Sequence, residues 1–465
     1  TGGRLSIESG GILASSGTSN IGLTTGNSGF LTAGTAKDSL TTLNVINNGT
    51  VNINVPIRDF STTINTPAVL KDAITVTMPN VIGLLVGMEV SGSGLLEGTR
   101  IAKIDTSNNI ITLTAPLQST IPANTVWSFQ GGSVGLTKSG SGFLVLSPSS
   151  SFTGKTYLNQ GTTRITATTA LGAAPSVFTP DHLQINGGAL QIGHTIAPGT
   201  QPPLPDSLIA FNDELRGITI GRAGGRIEVG QADPNNDNSS GASKPIVRLT
   251  ITNPINAMGV LELAVRRGIT STGFQSNVIN LGRLQDGLTP ASTNVYAAGI
   301  KTEANYAGIV NIFGNNTIGG IFQEGADILI KGNNNFTAPI RSVSGDITLD
   351  GTNTWFGKPV FEQATTIQSG VLKLLSAGAL GSGGLNLALS GTGRVAFAGI
   401  SQTIRQISSV STSGINNDGA PDDFTGATDL IFDLQTSQTV AASIKDGITV
   451  SNTGVAPLKI VKKGP

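Results

Sequence analysis

Apolar residues along this chain fall in short alternating runs of three to six positions, and almost nowhere at helical spacing. Asn52-Ile53-Asn54-Val55, Ile74-Thr75-Val76 and Ile218-Thr219-Ile220 are typical. A period of two puts the apolar side chains on one face of a strand and the polar ones on the other. Gly, Asn and Asp break the runs at short intervals, as in Asn47-Asn48-Gly49, because these residues tolerate the positive φ that tight turns demand. The pattern predicts many short strands joined by turns.

The idiom changes between residues 62 and 130. Ala73-Ile74-Thr75-Val76, Gly83-Leu84-Leu85-Val86-Gly87-Met88-Glu89-Val90, Gly98-Thr99-Arg100-Ile101-Ala102-Lys103-Ile104-Asp105 and Ile110-Ile111-Thr112-Leu113 alternate with polar outward positions. A small antiparallel sheet has this character. Three segments are therefore expected: strand rungs over 1–61, an inserted small β-sheet module over 62–130, and further rungs over 131–465.

Within the last segment one idiom recurs. Leu136-Thr137-Lys138-Ser139-Gly140-Ser141-Gly142-Phe143-Leu144-Val145-Leu146 runs through Phe152-Thr153-Gly154-Lys155 to Ala170-Leu171-Gly172. It returns as Ile347-Thr348-Leu349, Trp355-Phe356-Gly357-Lys358, Val371-Leu372-Lys373-Leu374 and Ala379-Leu380-Gly381, and a partial copy starts at Leu458-Lys459-Ile460-Val461-Lys462-Lys463-Gly464-Pro465. The repeats thus lie near 136–172, near 347–381 and from 458. Phe152 precedes Ala170 by 18 positions and Trp355 precedes Ala379 by 24, so the second copy carries an insertion at a corner. Self-similarity of this kind predicts an all-β solenoid in which each repeat buries its apolar face only against its neighbours.

These residues resemble the passenger-associated transport repeat, also called the autotransporter-associated β-strand repeat, of bacterial surface proteins. The resemblance covers about residues 131–230 and 345–400; Asn186-Gly187-Gly188-Ala189-Leu190-Gln191 and Arg216-Gly217-Ile218-Thr219 look like the segment that commonly follows the repeat. It implies a right-handed parallel β-helix, secreted and displayed outside the cell or on the bacterial cell surface, and it implies no substrate. The stretch 62–130 resembles modules of phage tail fibres and bacterial surface proteins.

Composition sharpens this. Charged residues make up 12% of the chain, against about 25% in an ordinary soluble protein, and 62 of the 465 residues are Gly. Twenty-eight basic and 28 acidic residues cancel, which argues against a nucleic-acid or anionic-membrane partner. With no Cys, disulfides, thiolate metal sites and thiol nucleophiles are excluded. No run approaches the ~18 apolar residues of a membrane-spanning helix. The absence of an initiating Met and a leader suggests a piece of a larger precursor.

Candidate chemistry is sparse. His182 and His194 sit among polar residues and are expected to be exposed; Asp181 precedes His182 but points to the opposite strand face. Parallel β-helices include polysaccharide lyases and hydrolases, and Asp213, Glu214 and Arg216 are the residues that could serve such chemistry, but nothing in the sequence repeats or clusters around them. The acidic stretches Asp233–Asn238 and Asn417–Asp423 offer oxygen ligands for a hard cation without matching a calcium-loop pattern. Asn315-Asn316 and Asn333-Asn334-Asn335 could form inward Asn ladders along the stack, and Phe152 and Trp355 occupy equivalent, core-like places. The expectation is therefore no catalytic, metal or cofactor site, and not an enzyme. It is a secreted structural segment of a surface fibre or layer, with an adhesin that binds glycan or host surface as the alternative. Residues 1–7 and 458–465 would together complete one repeat, which suggests end-to-end contact between copies.

Overall fold

The computed structural model describes residues 4–7, 11–22, 29–33, 40–147, 149–193, 207–211, 213–229, 247–265, 267–270, 273–285, 291–303, 308–355, 365–377, 379–380, 385–398, 400–409, 413–416, 428–433, 443–444, 447–448, 455–456 and 458–463. Among them the only helical piece is a single 3-10 turn, Thr168–Leu171. The chain divides into two compact units, Thr1–Pro175 and Ser176–Pro465. The fold class is the expected one: all-β, a parallel β-helix, with a small inserted β module.

In the first unit, Gly11–Ala14, Leu40–Asn47, Ser133–Ser139 and Thr156–Leu158 pair in parallel as one face. Thr18–Ile21, Thr50–Ile53, Phe143–Leu146 and Thr162–Ile165 form a second. Alternation along each strand sends Leu43, Val45, Leu136, Leu144 and Ile165 inward, and all are fully buried. Gly140 closes the turn between the two faces at φ 78°, and a Cβ there would run into the Asn47 carbonyl of the rung below. The repeat's ends meet as well. Ala170 and Leu171 are buried beside Phe152, whose carbonyl accepts from Ala173 N at 2.8 Å.

The inserted module leaves this helix at Phe60 and returns at Gly131, whose N–H donates to the Phe60 carbonyl at 2.9 Å. It holds two three-stranded antiparallel sheets. Thr125–Gln130 lies between Ser61–Thr66 and Glu89–Ser91 in one, and Ile110–Leu113 lies between Thr75–Thr77 and Ile101–Asp105 in the other. Trp127, Phe129, Met88, Ile111 and Leu117 centre its own apolar core. The run expected as a strand over 83–90 is mostly turns, with a strand only from Glu89, because Gly83 and Gly87 take φ of 75° and 88°.

In the second unit three parallel faces are stacked rung on rung. One rung is Ile309–Phe313, Asn315–Ile318 and Ile321–Gln323; the next is Asp327–Lys331, Asn334–Phe336 and Ile340–Ser342. Like side chains fall in register. Leu249, Ile279, Val310, Ile328, Ile347, Leu372, Val395 and Ile415 form one buried aliphatic column. Each such side chain contributes about 1.5–3 kcal/mol on burial.

Beside the aliphatic columns runs a polar one. Asn294, Asn316, Asn334 and Asn353 stand in register and are buried. Asn294 Nδ2 donates to Asn316 Oδ1 at 3.3 Å, Asn316 Nδ2 to Asn334 Oδ1 at 2.8 Å, and Asn334 Nδ2 to Asn353 Oδ1 at 3.0 Å. The column is capped by Ile255 N donating to Asn294 Oδ1 at 2.9 Å and by Asn353 Nδ2 donating to the Ala379 carbonyl at 2.9 Å. This is the inward ladder foreseen for the Asn runs. Asn316 and Asn334 supply it from within those runs, and Asn294 and Asn353 join from outside them.

Candidate functional site

Three polar clusters stand out, two in the second unit and one in the first. The residues singled out in the sequence come together in the first of them. His182 is 2% exposed, contrary to expectation. A bulge between Thr179 and Leu183 breaks the strand alternation, so His182 and Leu183 turn inward in succession. Asp181 remains outside, where its carboxylate accepts from Gln184 Nε2 at 3.0 Å. Arg216 Nη1 lies 3.2 Å from His182 Nδ1, and Arg216 Nε lies 3.4 Å from Asp213 Oδ2. Asn253 Nδ2 donates to the carbonyls of Asp213 and Arg216 at 2.6 and 2.8 Å. Burial lowers the Arg216 pKa, and Asp213 works against that. With Arg216 only 4% exposed, this is a buried brace rather than a surface a substrate can reach. Glu214 faces solvent and pairs with Arg283. His194 and the acidic stretches 233–238 and 417–423 lie outside the described residues, as does the Trp355 side chain; Phe152 is fully buried.

Sequence reasoning missed the second cluster. Arg226, Glu262, Lys301, Phe322 and Arg341 occupy successive register positions on one face. Arg226 pairs with Glu228 at 3.1 Å, with Glu262 at 3.6 Å and with Glu303, and Gln191 Nε2 donates to Glu228 at 2.8 Å. Burial disfavours the Arg226 cation, but Glu228, Glu303 and Glu262 outweigh it and raise its pKa. Further along, Lys301 lies 5.9 Å and Arg341 5.0 Å from the Phe322 ring centroid. The column is largely self-neutralised, each cation meeting a carboxylate or a ring. Among the described residues no group of three or more His, Cys, Asp or Glu could hold a metal ion. The signal was an outward charge on four of the five strands, with Phe322 on the other, and it needed the register to be read.

The third cluster lies at the neck of the inserted module. A cavity of about 630 Å³ opens between the module's root, its return strand and the loop 149–153. Asp59 ties the three together: Oδ1 accepts from Val134 N at 2.8 Å and Thr153 N at 3.2 Å, and Oδ2 accepts from the Thr153 hydroxyl at 2.6 Å. The Thr153 and Ser133 hydroxyls are 2.9 Å apart. Ile57 N donates to the buried Ser150 hydroxyl at 3.1 Å, which fixes the loop from behind. Ser61, Ser149, Ser151, Gln130 and Arg58 line it too, together with Phe60, Gly131 and Gly132. Such a wall can both donate and accept hydrogen bonds.

No protein-family model and no curated protein matches the chain. Solved structures similar to it include the tailspike protein gp49 from Pseudomonas phage LKA1, at 13% identity over 93% of this chain and 71% of that one, with a TM-score of 0.19. Another is the Gp54 tailspike of Acinetobacter baumannii bacteriophage AP22 in complex with A. baumannii capsular saccharide, at 8% identity over 90% and 74%, with a TM-score of 0.17. Both TM-scores are below 0.5, so the fold rests on the strand register given above. One expectation is corrected here. The chain was expected not to be an enzyme; both matched structures are phage tailspikes, one of them bound to a saccharide, and that exclusion is withdrawn. No helix among the described residues is long and apolar enough to cross a membrane.

Proposed function

We propose that the chain is a segment of a secreted bacterial surface protein of the autotransporter passenger type, in which the β-helix is the scaffold of an extracellular fibre or layer. The observation that carries this reading is the Asn ladder, because it commits buried polar groups to joining successive rungs. Self-association by strand addition fits the same reading. Leu458–Lys463 pairs in parallel with Thr428–Asp433, and the same strand-on-strand addition between copies would join them. Sedimentation of the full chain at rising concentration tests it: assembly that is lost on deleting residues 458–465 is expected, and a chain that stays monomeric contradicts it.

A second reading, an adhesin that binds glycan, is favoured by the hydroxyl-lined cavity at the module's neck. A glycan array probed with the full chain tests it; no signal in any glycan class rejects it.

A further inference from the structure

The cavity at the module's neck supports a narrower statement. We infer that it binds a saccharide unit carrying a carboxylate, with Arg58 as the receptor for the acid and the surrounding hydroxyls as receptors for the sugar's own hydroxyls. The inference rests on the glycan-binding reading and deepens it.

Four observations lead there. The cavity's volume, about 630 Å³, lies within the range of small-ligand sites. Its walls are set in advance, because Asp59 holds the root, the return strand and the loop with three hydrogen bonds. Those bonds also occupy the Asp59 carboxylate, so the negative charge beside Arg58 is directed at the protein. Arg58 itself is exposed, lies 5.7 Å from the Phe30 ring centroid and makes no ion pair among the described residues. The Phe30 ring contact takes up none of the guanidinium's N–H donors, and their planar fork matches a carboxylate.

The rest of the lining narrows the class. Ser61 and Ser151 are exposed and polar, and a ligand meeting their hydroxyls must offer both donors and acceptors. A lipid or other apolar ligand would leave those groups unpaired. A single guanidinium, with no second cation in the lining, suits a singly charged planar acid better than a dianionic phosphate.

The test uses the full chain. Isothermal titration with glucuronic acid, with glucose as the neutral control and glucose 6-phosphate as the phosphate control, is compared between wild type, Arg58→Gln and Ser151→Trp. Both substituted residues are exposed, so unchanged thermal unfolding verifies that the variants fold. Glucuronic acid is expected to bind better than either control by about tenfold or more, and Arg58→Gln is expected to lose about that factor. Ser151→Trp, which fills the cavity mouth, should abolish binding. Equal binding of glucose and glucuronic acid, or preference for the phosphate, overturns the assignment of Arg58. Acid binding that survives both substitutions overturns the cavity. A positive glycan array with cavity variants unaffected defeats this inference alone, whereas an array negative throughout defeats the glycan-binding reading and the inference with it.

Discussion

The inserted module and the ladder rungs of the second unit are both small β structures, yet they are held by different means. The module closes on itself: antiparallel strands over 61–130 surround a core with Trp127, Phe129 and Met88 at its centre. Trp127 reaches out of that core only through its indole N–H, which donates to the Ser93 carbonyl at 3.1 Å. The rungs over 291–355 have no centre. Their aliphatic columns and their Asn ladder run on from each rung to the next, so each rung depends on the pair beside it. Damage should therefore remain inside the module when the module is hit, and spread along the stack when a rung is hit.

The largest expected effect is in the module. Trp127→Ala removes its biggest buried side chain and should cost about 3–5 kcal/mol. Chemical denaturation should show the module melting early while the β-helix transition keeps its midpoint; a shift of both together would mean that the module is not a separate core. Next comes Asn316→Leu. It removes the middle of the ladder and leaves Asn294 Nδ2 and Asn334 Oδ1 without their partners, at about 1–3 kcal/mol each. Circular dichroism melts should lose cooperativity rather than shift as one transition.

Gly332→Ala should cost about 1–3 kcal/mol. Gly332 has φ 119°, in the left-handed half of backbone space, and a Cβ would meet the Gly314 carbonyl of the rung before. Gly314 itself should respond alike, and a neutral result in thermal unfolding at either position would break the rung-on-rung picture.

The last effect is a pH dependence in the first unit. Lys138 stands in the inward column between Val45 and Leu158, and its ammonium donates to the carbonyls of Ser139, Gly140 and Gln160 at 2.8, 2.5 and 3.1 Å. Burial pushes its pKa down from 10.5 to about 8. Between those values the unfolded chain holds the proton and the folded chain does not, so stability should rise with pH from about 8 to about 10.5. Lys138→Met should flatten that slope in denaturant titrations across the window, and a slope that persists would contradict the assignment.

The same contrast explains what the sequence discloses. The ladder is written in it: Gly314-Asn315-Asn316, Gly332-Asn333-Asn334 and Gly351-Thr352-Asn353 each place Asn two residues after a turn glycine, and the hydrogen-bonded partners are 18 and 19 residues apart. Which Asn of a run faces inward is a matter of register, which alternation alone leaves open between neighbours. His182 was misjudged because a bulge is invisible to a period-two reading. The Arg226 column joins strands separated by loops of unequal length, so its charges align only once the rungs are stacked. The neck cavity draws on residues 58–61, 130–133 and 149–153, and of these only Phe152-Thr153 belongs to the recurring idiom.

Hydrogen exchange of wild type against Asn316→Leu, read peptide by peptide, bears most directly on the central claim that the β-helix is held rung to rung while the module is held by its own core. Loss of protection should spread through residues 291–355 on both sides of the substitution and leave residues 61–130 as slow to exchange as in the wild type. Loss confined to the strand Asn315–Ile318, or equal loss in the module, would contradict it.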